Sequence, residues 1–209
     1  MIGQWLSPMR EKVLENQLIQ RNHGKCQLVH QAFNGYASLG QRNWSLKVEA
    51  INHGHRPAEE FLSLFRVFPD WVKEELTVFF SVPGGGIGPQ TKPSDVLMIQ
   101  GMGLSRWRVG DRWSSTVFDY DQNDFSEAMV DEELSSGYML HIPKGFPHES
   151  MSSEAALSYC LNFWTDNSLR MIRNCGLSRF QMKIIEALSI PHRPIYSCVK
   201  TTPKFCLKI

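Results

Sequence analysis

The chain has 209 residues and a net charge of +1, and hydrophobic residues make up 42% of it. That length and composition suit one globular domain with an ordinary core. No apolar run reaches the roughly 20 residues that a membrane-spanning helix needs, and the charged N-terminus does not fit a signal peptide. Five cysteines without a CxxC spacing are typical of a reducing compartment. We therefore expect a cytoplasmic protein.

Charge divides the chain near residue 168. From Leu169 to Ile209 there are eight Lys or Arg residues and one acidic residue, whereas the first 168 residues carry 14 basic and 20 acidic residues. This asymmetry predicts a boundary followed by a basic tail. An RNA-binding arm is one interpretation of the tail. We favour a segment without an evolved role, because its bases are mixed with apolar residues and cysteines, and we expect no direct binding of nucleic acid.

The elements predicted in the first third of the chain are mainly helical. Residues 5–20 are predicted to form a helix. Residues 23–48 contain turn residues and short β-like pieces such as CQLVHQAF. The apolar spacing over 44–65 predicts two further helical pieces, WSLKVEAIN and AEEFLSLFRVF, which are separated by a Gly- and Pro-containing break.

Short β-rich runs separated by Gly and Pro turns follow this helical part. Strands are predicted at Leu76–Val82, Asp95–Gln100, Ser105–Val109, Tyr138–Ile142 and Ala156–Phe163. The pattern favours a helical front followed by a compact antiparallel barrel. We expect a helical N-terminal part over 1–75, a barrel core over 76–168 and the basic tail over 169–209.

The glycine-rich loop PGGGIGP (83–89) invites comparison with phosphate-binding loops. It fits neither GxxxxGK[ST] nor a GxGxxG that opens a helix, because a β-like segment follows it. We interpret it as a tight turn at the barrel rim, where glycines let the backbone approach a ligand closely.

Seven ordered segments between Asn43 and Phe163 resemble one known family. They are NWSLKVEAINHGH (43–55), PDW (69–71), FSVPGGGIGP (80–89), DVLMIQGMG (95–103), RWRVG (106–110), DEELSSGYMLHIPKGFPHES (131–150) and LSYCLNF (157–163). The series resembles the JmjC-type cupin ribosomal oxygenases, in particular the bacterial group that hydroxylates arginine in a ribosomal protein. The resemblance implies a mainly β fold, a cupin double-stranded β-helix or jelly roll, preceded by a helical N-terminal segment.

The resemblance also implies a dioxygenase that uses Fe(II) and 2-oxoglutarate. In that family a triad of two histidines and a carboxylate holds the iron, and a basic side chain anchors the cosubstrate. The distal histidine falls on His148, the proximal histidine on Gln90, the carboxylate on Lys92 and the basic anchor on Ser105. An amide oxygen is a weak iron ligand, an ammonium repels a metal cation, and a serine offers no charge.

The substitutions leave two functions open. The first is a 2-oxoglutarate- and Fe(II)-dependent hydroxylase of ribosomal-protein arginine with impaired or lost catalysis. The alternative is a non-catalytic cupin pseudoenzyme, or a module that binds a peptide or a small anion. Lys92 is then either a solvated loop charge or a cation that binds an anion, such as a dicarboxylate, in the former metal cavity. An acidic stretch over Asp119–Glu133 would attract a basic ribosomal-protein segment.

The resemblance carries further expectations about the C-terminal part. Members of the family have a helical dimerisation region and a winged-helix-like domain after the barrel. Residues 169–209 match neither, so we expect the family's C-terminal domain to be absent from this chain. A gene fragment or a frame-shifted end would account for the tail. Homodimerisation, which the family achieves through that region, is left open.

The remaining histidines and aromatic residues have structural interpretations. His53 and His55 are expected to be scaffold rather than metal ligands, and His30 and His141 to satisfy local hydrogen bonds, with His141 also a candidate pocket residue. Asp95 is not expected to replace the lost carboxylate, because its register turns it to the other face of its strand. Five aromatic residues are predicted to lie in the core rather than in a substrate cage: Trp107, Phe118, Phe146, Phe163 and Trp164.

Overall fold

The computed structural model describes residues 16–22, 25–29, 39–53, 55–66, 68–110 and 128–164. The predictions made for His30, Phe118 and the tail over 169–209 lie outside these ranges. Within them, none of the helices has the length and apolar character needed to cross a bilayer.

These ranges contain ten strands and one α-helix. The strands are β1 (Asn16–Asn22), β2 (Lys25–Val29), β3 (Trp44–Val48), β4 (Thr77–Ser81), β5 (Asp95–Met102), β6 (Ser105–Gly110), β7 (Ala128–Leu134), β8 (Met139–Ile142), β9 (His148–Ser152) and β10 (Ala156–Phe163). Helix α1 (Arg56–Leu62) and the 3-10 turns Ile51–His53, Ser63–Phe65 and Asp70–Val72 lie between β3 and β4.

The strands form two antiparallel sheets. The larger sheet has the order β2-β1-β3-β4-β10-β5-β8, and the smaller has the order β7-β6-β9. Strand β10 lies between β4 and β5, and its residues Ala156 and Phe163 pair with Ser81 and Asp95 respectively. All eight residues of β10 are buried, because neighbours cover both edges and both faces of this strand.

The inner core lies between the two sheets. Phe79, Val96 and Met98 of the larger sheet pack in one cluster with Trp107 and Val109 of the smaller sheet. Period-2 alternation places these residues on the inward faces of their strands. Two antiparallel sheets packed over a shared core confirm the predicted mainly β fold, a double-stranded β-helix.

The helical segment covers the outer face of the larger sheet. Phe61 stacks on Tyr159 of β10 with ring centroids 4.7 Å apart, and Phe65 is fully buried. Burial of one such aromatic side chain contributes about 2 to 3 kcal/mol. Helix α1 has a proline in its first turn, where the missing N–H costs nothing. The prediction of helix over AEEFLSLFRVF is thus confirmed for its first part.

Two predicted helices are wrong in the described residues. The helix predicted over 5–20 is a strand from Asn16 onward, and the first half of WSLKVEAIN is β3. Strand β3 pairs with β1 on one edge and with β4 on the other. Its residues alternate between apolar and polar, and this period of two fits the strand that the pairing forms. The N-terminal part therefore shares a sheet with the barrel strands.

The strands predicted after residue 75 are confirmed as β4, β5, β6, β8 and β10. Strands β7 and β9 were not predicted. Strand β7 is rich in acidic residues, and β9 has the sequence HESMS, so neither carries a hydrophobic signal.

Candidate functional site

A cavity of about 440 Å³ opens over the inner face of the larger sheet. The base of the cavity is an apolar wall formed by Phe79, Val96, Met98 and Cys160. Charged residues from β3 and from the segment before β4 also line the cavity. A concave site of this size with apolar walls and a few polar groups is typical of a small-molecule site.

Gln90, Lys92 and His148 all line this cavity. The backbones of Gln90 and His148 form an isolated antiparallel bridge, in which His148 N donates to Gln90 O at 2.9 Å and Gln90 N donates to His148 O at 3.0 Å. The Lys92 carbonyl accepts a hydrogen bond from Gly145 N at 2.9 Å. The two motifs GPQTK and IPKGFPHE are therefore joined through their backbones at the cavity.

Ser105 is placed differently from the other three predicted site residues. It is buried on β6, and its hydroxyl shares a hydrogen bond of 3.0 Å with the hydroxyl of Ser152 on β9. It is not among the described residues that line the cavity.

His148 is 1% exposed and is held in one orientation. Its Nδ1 lies 3.0 Å from the Phe146 carbonyl oxygen, and because a carbonyl only accepts, Nδ1 carries the proton and donates. Burial lowers the pKa of His148 to about 4; the Phe146 carbonyl raises it and the Lys92 charge lowers it. His148 is therefore neutral near pH 7, and its Nε2 is a hydrogen-bond acceptor.

The donor set does not fit an iron ion. An iron triad needs two imidazoles and a carboxylate on one face, whereas the three positions implied by the resemblance carry an imidazole at His148, an amide at Gln90 and an ammonium at Lys92. Within the described residues, no group of three or more His, Cys, Asp or Glu side chains could hold a metal.

Asp95 does not supply the missing carboxylate, and this agrees with the prediction made from its register in the strand. Its carboxylate accepts a hydrogen bond from Lys144 N at 2.8 Å and lies 3.3 Å from His141 Nε2. The next residue, Val96, faces the cavity instead. His141 pairs with Asp95 and is not a cavity-lining residue among those described, so its prediction as a pocket residue is wrong.

Charged residues at the cavity were not predicted from the sequence. They are Lys47, Glu49, Lys73, Glu74 and Glu75. Lys47 and Glu49 alternate along one face, but this pattern has meaning only once residues 44–48 are recognised as a strand. The irregular segment before β4 contributes Lys73, Glu74 and Glu75, and it carries no motif.

Five of the six cavity-lining charges have protein partners. Lys47 pairs with Glu49, Lys73 pairs with Asp70 at 2.7 Å, and Glu75 pairs with His53. Glu74 accepts hydrogen bonds from Asn162 and from Trp164 Nε1. The sixth is the half-buried Lys92, whose ammonium forms no ion pair or hydrogen bond with any described residue.

The other predictions have mixed outcomes. The ion pair with Glu75 gives His53 a structural role, and His55 precedes α1 as its N-cap. Trp107, Phe146 and Phe163 are buried in the core as predicted. Trp164 is 54% exposed, so its prediction as a core residue is wrong; its backbone N donates to Val72 O at the end of β10.

The glycine-rich loop packs closely against protein backbone. A Cβ on Gly85 would lie 2.1 Å from Trp44 O, and one on Gly86 would lie 2.0 Å from Ser150 O. Only glycine permits such close approach of β3 and β9 to the loop. Strand β5 follows the loop, so the arrangement of a phosphate-binding loop before a helix is not formed.

Comparison with known proteins decides the family. A sequence profile of the JmjC domain matches residues 60–171, which is more than half of the chain. This chain belongs to the JmjC-domain family. The ribosomal protein uL16 3-hydroxylase of Escherichia coli is 42% identical over 166 residues, which are 78% of this chain and 44% of that protein.

Solved structures of a JmjC-family relative share the fold. One structure of Escherichia coli YcfD has a TM-score of 0.66 and 36% identity, and the match covers 91% of this chain and 53% of YcfD. Another, described as a ribosomal oxygenase in complex with cobalt and 2-oxoglutarate, has a TM-score of 0.64 and 37% identity, with 91% and 52% covered. The chain spans about half the length of these relatives or less.

Proposed function

We propose that this chain is a JmjC barrel of the ribosomal-oxygenase type that does not catalyse hydroxylation and instead acts as a binding module. One observation carries the proposal. Lys92, the residue at the carboxylate position, places an ammonium in the cavity beside His148, and no described residue forms an ion pair or hydrogen bond with it. A cation repels Fe²⁺, and the single imidazole of His148 gives little metal affinity by itself.

The cosubstrate position supports the same conclusion. Ser105 has its hydroxyl bonded to Ser152 and offers no positive charge to a carboxylate of 2-oxoglutarate. Its position on the smaller sheet leaves the cosubstrate without the basic partner that the family resemblance implies. Both the metal and its cosubstrate thus lack the groups that would hold them.

The second candidate is an active Fe(II)- and 2-oxoglutarate-dependent hydroxylase of ribosomal-protein arginine in the cytoplasm. Two findings favour it: the 42% identity to the uL16 3-hydroxylase and the complex of YcfD with cobalt and 2-oxoglutarate. A ribosomal protein is the partner in both proposals. The two proposals differ in whether the bound segment is chemically changed.

Metal titration separates the two candidates. The purified chain is titrated with Mn(II) and with Fe(II), with and without 2-oxoglutarate, and succinate formation is followed in the presence of ribosomal protein uL16. Escherichia coli YcfD serves as the positive control. We expect no stoichiometric metal binding and no succinate above the metal-free background. Stoichiometric binding together with succinate production would establish the hydroxylase instead.

A further inference from the structure

Lys92 is the starting point for a ligand assignment. The other five charged side chains that line the cavity have hydrogen-bond or ion-pair partners within the protein, and the Lys92 ammonium is not paired with any described residue. A half-buried charge without a partner is costly, and an anionic ligand removes that cost. Lys92 is therefore the charge at this cavity that an anion can pair with.

His148 defines a second property of the ligand. Its Nδ1 donates to the Phe146 carbonyl, so Nε2 presents a lone pair. Nε2 makes no hydrogen bond to the described part of the chain, although the side chain is 1% exposed and lines the cavity. An acceptor that faces a cavity is satisfied there by an O–H or N–H donor, which water or a ligand can supply.

We propose that the cavity binds a small carboxylate that also carries a hydroxyl group, with the carboxylate at the Lys92 ammonium and the hydroxyl donating to His148 Nε2. This assignment rests on the proposed non-catalytic function, because a bound metal would take the same Nε2 lone pair. The Gln90 amide, bridged to His148 through the backbone, can both donate to and accept from such a ligand.

The same two groups discriminate against 2-oxoglutarate. At neutral pH that molecule has two carboxylates and a keto oxygen, and all of these accept hydrogen bonds. An acceptor facing the Nε2 lone pair is repelled, so the His148 contact would be lost. The walls formed by Phe79, Val96 and Met98 suit a short carbon skeleton. The cavity volume of about 440 Å³ is in the range of small-molecule sites.

The test compares glycolate with acetate on metal-free protein. The two probes have the same charge and differ in the hydroxyl group. Binding is measured by isothermal titration calorimetry or NMR shift titration after chelator treatment and confirmed metal removal. We expect saturable binding of glycolate that is about tenfold tighter than that of acetate, because only glycolate can pair the buried acceptor. Equal affinity of the two probes, or no saturation in the millimolar range, overturns the assignment.

A pair of variants assigns the binding to Lys92. Lys92→Met removes the cavity charge, whereas Lys144→Met removes the same charge from an exposed lysine that does not line the cavity. We expect glycolate affinity to fall about tenfold or more in the first variant and to stay within about twofold in the second. Equal losses in both variants would mean a nonspecific charge effect and would overturn the assignment. The probe comparison on the unsubstituted protein decides the matter even if Lys92→Met fails to fold.

Failure of this assignment is distinguishable from failure of the proposed function. Succinate production with bound metal would contradict the non-catalytic function whatever glycolate does. An absence of glycolate binding, with neither metal binding nor succinate, would overturn only the ligand class.

Discussion

Gln90 and His148 lie opposite each other as a two-bond antiparallel bridge, with N–O distances of 2.9 and 3.0 Å. The bridge fixes the separation of the two side chains through the backbone, independently of which side chains are present. A histidine at position 90 would therefore stand beside His148 without rearrangement. We infer that the backbone at positions 90 and 148 still places two side chains as metal ligands would need to stand, and that only the side chains present do not fit a metal.

Restoring those side chains is expected to restore metal binding. We predict that the combined variant Gln90→His, Lys92→Asp binds Mn(II) stoichiometrically, with an affinity about 100-fold or more above that of the unsubstituted chain. The measurement is isothermal titration calorimetry or EPR. The matched control carries Lys92→Asn in place of Lys92→Asp and should bind much more weakly. No recovery in the combined variant, with the fold intact by circular dichroism, would contradict this inference about the backbone.

Removing the Lys92 charge, which has no partner in the part of the chain that the structure describes, should stabilise the fold. We predict that Lys92→Met raises the free energy of unfolding by about 1 kcal/mol at low ionic strength, because a half-buried charge is replaced by an apolar side chain of similar length. The melting temperature should rise by about 3 °C. Lys144→Met, at an exposed position, should change stability by less than about 0.5 kcal/mol. A destabilised Lys92→Met variant would show that the ammonium has a partner in solution.

Acid should destabilise the protein through His148. The folded pKa of about 4 lies below the ordinary 6.5, so the unfolded chain binds the proton more readily. The contribution of neutral His148 is fully present above pH 6.5 and is lost as pH falls toward 4. The difference corresponds to about 3 kcal/mol.

The pH prediction is checked by urea unfolding between pH 7 and pH 4. His148→Phe has no titrating ring and should flatten this part of the stability profile, whatever its effect at pH 7. Identical slopes in both proteins would mean that His148 is protonated as readily in the folded state as in the unfolded state.

The glycine-rich loop should be intolerant of a single methyl group. A Cβ on Gly85 would lie 2.1 Å from the Trp44 carbonyl oxygen, and backbone cannot move aside cheaply. We predict a loss of about 3 kcal/mol or more for Gly85→Ala, measured by urea unfolding. Gly40→Ala is the control, because nothing lies within 4 Å of its Cβ and only its φ of +70° opposes the change. That variant should lose about 1 kcal/mol.

Most barrel strands could be predicted because their apolar runs end at Gly and Pro turns, as in β5 and β8. The segment Trp44–Val48 is wrongly predicted because the apolar spacing of the longer window 44–65 is helical, although its own five residues alternate between apolar and polar. Pairing with β1 and β4 overrides local propensity there. Strand β9 has two buried serines and a buried histidine, so polar hydrogen bonds rather than hydrophobicity hold it in place.

The parts of the candidate site that could be predicted are those fixed by the ordered resemblance or by the alternation of side chains along a strand. The positions of Gln90, Lys92 and His148 followed from the ordered resemblance, and the outward direction of Asp95 followed from strand alternation. The charges of Lys47 and Glu49 at the cavity depend on the pairing of β3 in the larger sheet, which no local pattern signals. Whether Lys92 would be paired also could not be read from the sequence, because its potential partners are distant in the chain.

The central place of β10 has a consequence for synthesis on the ribosome. Strands β4 and β5 emerge early, yet each hydrogen bonds to a strand that begins at Ala156. Until that strand leaves the exit tunnel, each of the two presents an unpaired edge and an apolar face to solvent. Folding that waits for such distant partners is slow and exposed to aggregation. Nascent chains that end before Phe163 should therefore depend on chaperones that hold open β-sheet edges.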